Sequence, residues 1–156
     1  MDRILKFGAA ICLTASTFVS PVAAEETSDI IAYERQILAD SCTTIEFMPG
    51  FIDVTDLNDD GVDDAIIDYQ YLNCDGSNMA FCGTGGCTLR LYSGRGSGRF
   101  TEAADMLSQG LKLVRRSGKT YLAISVRGSE CGKSGAKKCT ITGRLKDGEF
   151  AVDSRK

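Results

Sequence analysis

The chain has 156 residues, no histidine, no tryptophan and a net charge of −3. That length suits one domain with its own core. Mild acidity argues against nucleic acid or an anionic membrane as the main partner, and the missing histidine removes every acid–base or nucleophile dyad built on imidazole.

Residues 1–24 read as a signal peptide. Arg3 and Lys6 form a positive start, and Phe7 to Val19 is apolar but broken by Thr14, Ser16 and Thr17. Val22, Ala23 and Ala24 follow Pro21 as a small-residue cleavage site. The apolar run is shorter than the roughly 20 residues a spanning helix needs, and Cys12 lies inside it, away from any lipid-attachment position. Cleavage would leave 25–156 as a single domain. It would remove two cations and one anion, taking the net charge to −4. Periplasmic or secreted localisation is expected, with no membrane span.

The spacing predicts a helix over 28–41. Ile30, Ile31, Ile37 and Leu38 share a face, Tyr33 and Glu34 lie between the turns, and Ser28 is the expected N-cap. The period then changes to two, which predicts strands at 51–54, 65–71, 88–92, 111–115, 120–126, 139–145 and 149–152. "GRGSGRF" (94–100), "RSGK" and "KDG" read as hairpin turns. Residues 102–109 read as a short helical turn. The expected fold class is α+β, mainly β: an N-terminal helix packed on an antiparallel β-meander stapled by disulfides.

Six cysteines follow the leader: Cys42, Cys74, Cys82, Cys87, Cys131 and Cys139. An even number in an exported chain points to disulfides, with fifteen connectivities open in principle. The nearest-neighbour set is Cys131–Cys139, Cys82–Cys87 and Cys42–Cys74. Zinc fits poorly, because no C-x2-C pair and no histidine is present.

"DLNDDGVDD" (56–64) gathers five aspartates in one loop. With Asp56 as position 1, Asn58 is position 3, Asp60 position 5, Gly61 position 6, the Val62 carbonyl position 7 and Asp64 position 9. Alternate side chains then converge on one centre, and Gly61 permits the sharp turn that brings the Val62 carbonyl round. All the donors are oxygen, which suits calcium. The competing reading is a solvated acidic turn, for which "NDDG" is good chemistry. Position 12 is Ile67, not a bidentate glutamate, and the flanks are strands, so the loop is EF-hand-like without being an EF-hand. Affinity of about 10⁻⁴–10⁻³ M is expected.

"DVTDLNDDGVDDAIIDY" is similar to the calcium loops of FG-GAP and VCBS-type repeats, in which strand, loop and strand follow one another. The order "DLNDDGVDDAIIDY", "FCGTGGCTLRLY", "CGKSGAKKC" resembles a group of small exported bacterial proteins. These resemblances imply calcium, a fold and a compartment, and no reaction.

"GSECGKS" (128–134) is one residue short of a phosphate-binding P-loop and reads instead as a glycine-rich loop pinched by Cys131–Cys139. "FCGTGGC" (81–87) reads first as a tight disulfide loop. Gly83, Gly85 and Gly86 with Arg90, Arg95 and Arg99 are also a candidate partner surface, through amides and bidentate arginines. No serine or cysteine sits in a recognisable nucleophile setting. The expected function is a calcium-binding protein-binding module acting on another exported protein, of inhibitor or immunity type. The alternatives are a small hydrolase of envelope polymers and a structural envelope component.

Overall fold

The computed structural model describes residues 22–135 and 137–156, with side chains from Asp29 onward. The expected leader therefore lies outside the described residues except for its last three positions. The elements run α1 (Val22–Leu38), β1 (Ile45–Phe47), β2 (Ile52–Thr55), β3 (Asp64–Asp68), a 3-10 turn (Tyr69–Tyr71), β4 (Leu72–Cys74), β5 (Cys82–Gly83), β6 (Gly86–Gly94) and β7 (Phe100–Ser108). Then come β8 (Leu111–Arg116), β9 (Lys119–Arg127), a 3-10 turn (Gly128–Cys131), β10 (Lys138–Lys146) and β11 (Glu149–Arg155).

Two-residue alternation in the middle of the chain decides the layering. In β3, Ile66 packs with Leu89 and Leu91 of β6, while Ala65 and Ile67 pack with Ile30, Leu38, Phe51 and Tyr92. A strand buried on both faces needs a layer on each side. The first layer is α1. The second is a sheet in which β6 pairs with β3 and β5 along one edge and β7 along the other, with β2 outside β3. The third is the four-stranded meander β8–β9–β10–β11. Leu122, Ile124, Val126, Ile141 and Leu145 of that meander close the second core. Each fully buried Leu or Ile there contributes about 1.5–3 kcal/mol. β1 and β4 form a separate two-stranded ladder.

The mainly β, antiparallel expectation holds, with two corrections. The strands do not form one meander, because the middle strands carry apolar side chains on both faces. Residues 102–109 are not helical: helix-forming "EAADML" lies within β7, whose pairing with β6 runs from Phe100–Gly94 to Ser108–Cys87. A full ladder outweighs the weak intrinsic helical preference of that segment. The helix ends at Leu38, three residues before the expected end at 41.

All three nearest-neighbour disulfides form. Cys42–Cys74 ties the chain after α1 to β4, Cys82–Cys87 closes the β5–β6 hairpin, and Cys131–Cys139 closes the loop before β10. They fit an oxidising compartment. The "RSGK" and "KDG" hairpins turn as expected, with Ser117–Gly118 and Asp147–Gly148 all at positive φ. Among the described residues, no helix is long and apolar enough to cross a membrane.

Candidate cation loop and a buried carboxylate

The loop between β2 and β3 alternates as its spacing demands. Leu57 points inward and is fully buried in the second core. Asp59, at φ 65°, turns toward the meander. Its carboxylate accepts from the Thr120 amide (2.8 Å) and hydroxyl (3.1 Å) and pairs with Arg115 (3.3 Å). The Thr120 amide is the main reason the Asp59 carboxyl is held below its ordinary value. Positions 57 and 59 thus anchor the loop to the protein.

Positions 56, 58 and 60 come together on the other side. Asp56 Oδ1 accepts from the amides of Asn58 (3.2 Å), Asp59 (2.7 Å) and Asp60 (3.3 Å), and Oδ2 from Gly61 (2.9 Å). Asn58 Nδ2 donates to Asp60 Oδ2 at 2.8 Å, and the Val62 amide donates to Asp60 Oδ1 at 2.8 Å. Gly61 sits at φ 83°, the conformation expected of position 6.

Asp64 plays a different part. It is fully buried, and its two oxygens accept from the amides of Leu57 (2.9 Å) and Gly94 (2.9 Å). It therefore pins the start of the loop to the end of β6. Burial pushes its carboxyl up, against those two hydrogen bonds, and the charges of Asp60 and Asp56 push the same way. Gly94 lies so close to the Asp63 carbonyl that a Cβ would collide with it. Among the described residues, no group of three or more Asp, Glu, Cys or His side chains is arranged to hold a metal ion. Only Asp56 and Asp60 bring carboxylates to the loop's centre, beside the amide of Asn58.

The proposed partner surface does not assemble. Arg90 is engaged with Glu34 (3.4 Å) and Asp105 (3.0 Å) and lies over the Tyr69 ring. Gly83, Gly85 and Gly86 sit at one end of β6, while Arg95 and Arg99 sit beyond its other end, about 25 Å of strand away. The side chain that reaches the glycine loop is Arg127, which donates to Thr84 at 3.0 Å. Arg95 instead donates to Thr101 at 3.2 Å and lies against Gly148 in the turn between β10 and β11.

Glu34 is the residue sequence reading passed over. It is fully buried between α1 and the central sheet. Tyr69 donates to its Oε2 at 2.6 Å, Tyr92 to its Oε1 at 2.7 Å, and Arg90 completes the cage. Burial, reinforced by the bonds to Glu34, raises the titration of both tyrosines far above the ordinary phenol range, so both hydroxyls keep their protons. The signal was present: Ile30, Glu34 and Leu38 recur every four residues on the apolar stripe, and a carboxylate there needs partners.

The Gly128–Cys131 turn and the loop after it are pinched by Cys131–Cys139, as the disulfide reading of "GSECGKS" expects. A scan against protein-family models, a search of curated proteins and a search of solved structures each return no match to this chain.

Proposed function

We propose that this chain is an exported, disulfide-stapled domain that binds calcium at its aspartate loop and acts as a protein-binding module. One observation carries the calcium reading. Asp56, Asn58 and Asp60 are joined within the loop, Asn58 donating through Nδ2 to Asp60 and accepting through Oδ1 from its amide, while Leu57 and Asp59 anchor the alternate positions. An all-oxygen set on a loop held at both ends fits a hard cation. Asp56, Asn58, Asp60 and the Val62 carbonyl would hold the ion. Asp64, whose oxygens each retain a lone pair beyond their one amide partner, would complete the set. Bound calcium would neutralise the repulsion among the clustered aspartates. Two central carboxylates are a small charge complement, which favours weak, extracellular-type affinity.

The binding-module reading rests on preorganisation. Three disulfides and an anchored loop lower the ordering cost of docking a partner. The surface it favours is the turn between β6 and β7 that carries Arg95 and Arg99, which follows Gly94 and its hydrogen bond to Asp64. The test is capture from an exported-protein extract with and without EDTA, using the parent and an Arg95→Ala, Arg99→Ala variant. One partner retained by the parent in calcium and lost by the variant supports the reading. Equal capture by both contradicts it, and turnover of an envelope polymer by the purified parent replaces it with the hydrolase reading.

A further inference from the structure

A cavity of about 250 Å³ opens between α1 and the β6–β7 hairpin, on the far side of the central sheet from the meander. Its walls include Asp29, Ile30, Tyr33, Tyr92, Phe100 and Glu102. Three are aromatic and two are acidic, and none of the described residues lining it is cationic. Neither Asp29 nor Glu102 has a hydrogen-bond or ion-pair partner among the described residues, although Glu34, Arg90 and Asp105 nearby are all paired. Tyr33 meets Tyr92 edge-on, with ring centroids 6.4 Å apart and planes at 88°, so the two rings form a corner. Tyr33 is 52 % exposed, so its ring is accessible from solvent at the cavity's mouth.

We infer that this cavity is a binding site for an organic cation, an alkylammonium or guanidinium group. Ring faces attract cations through their quadrupoles, and carboxylates at the rim add charge with no cation among the described lining residues. Tyr92 is further suited to this. Its hydroxyl donates to the buried Glu34 carboxylate at 2.7 Å, and that bond pushes electron density into the ring facing the cavity. Glu34 itself is balanced by Arg90 and contributes orientation. The volume admits one side-chain-sized head group. A lysine or arginine of a protein partner and a free small amine share this chemistry. None of the described lining residues belongs to the aspartate loop, from which Gly94 separates them: it pairs with Phe100 on one side and donates to Asp64 on the other.

The test is an NMR titration of the purified protein in EDTA with N-acetyl-lysine amide, N-acetyl-arginine amide, choline and, as a neutral control, N-acetyl-norleucine amide. The cations should give saturable shifts at Asp29, Tyr33, Tyr92, Phe100 and Glu102, and norleucine should give none. Preference for choline marks a free small ammonium compound as the ligand, and preference for the lysine or arginine probe marks a protein side chain. Asp29→Asn with Glu102→Gln, and separately Tyr33→Leu, should each weaken binding at least about fivefold. These positions are at the surface, so the variants should stay folded, and their spectra verify that. Equal response to norleucine and to the cations, or undiminished affinity in both variants, would overturn the assignment.

Discussion

Glu34→Ala should be the most damaging single change outside the disulfides. The side chain is 0 % exposed and accepts from Tyr69 at 2.6 Å, Tyr92 at 2.7 Å and Arg90 at 3.4 Å. Hydrogen bonds to a charged acceptor contribute about 1.5–3 kcal/mol each, and a buried hydroxyl left without an acceptor costs about 1–3 kcal/mol. Arg90 keeps Asp105, so its loss is partial. The two tyrosines dominate, and the sum is bounded by the ~3–5 kcal/mol seen when one partner of a buried ion pair is removed. A loss of about 4 kcal/mol is expected. Glu34→Gln keeps the shape and one acceptor oxygen and should lose about half as much. Urea unfolding followed by far-UV circular dichroism measures both, with an unchanged slope showing that the same surface is exposed. If Glu34→Ala lies within about 1 kcal/mol of the parent, the cage does not hold helix to sheet and the reasoning fails.

Denatured, unreduced protein should show no reactive thiol from the six cysteines after the leader, and losing any one bridge should cost roughly 2–5 kcal/mol; thiol titration and the melting of each paired-serine variant check this. Asp59→Asn should destabilise at neutral pH only. The Asp59 carboxyl is held below 3.8, so its contribution is complete above that value and disappears as pH falls through the lower folded value. Melting curves of parent and variant should therefore converge in acid; a gap that persists unchanged would contradict the anchoring role. Gly94→Ala drives a methyl group against the Asp63 carbonyl and should cost about 1–3 kcal/mol, read by the same urea assay; a neutral result would show that the loop's exit yields easily.

Much of the frame was legible because its signals are local. Turn chemistry at 116–119 and 146–148 and the alternation of β9 and β10 depend on neighbours in sequence. The three disulfides also follow sequence proximity: hairpins bring Cys82 to Cys87 and a short loop brings Cys131 to Cys139, leaving Cys42 and Cys74. Three-layer packing was hidden because a strand such as β3 reads as simply apolar, and two buried faces look like one. β7 was misread because its residues favour a helix, and only its partner β6, earlier in the chain, decides otherwise. Glu34 was missed for a related reason. Its partners lie 35 and 58 residues away, so nothing near it explains a carboxylate on an apolar stripe. In the aspartate loop, spacing treats Asp64 like Asp56 and Asp60 and does not distinguish it as the pin to Gly94. The separation of the glycine loop from Arg95 and Arg99 follows from the length of β6, which runs two residues past the alternation at 88–92.

The measurement closest to the central claim is the melting temperature of the parent and of an Asp56→Ala, Asp60→Ala variant, each in millimolar calcium and in EDTA. A ligand that binds only the folded state stabilises it by about 1.4 kcal/mol at ten times Kd, a rise of about 4 °C for a domain of this size. The parent should show that rise, magnesium should give less because it demands tighter octahedral geometry, and the variant should show none. Superimposable parent curves in calcium and EDTA would contradict the calcium reading and leave the loop as an acidic turn closed by its own amides.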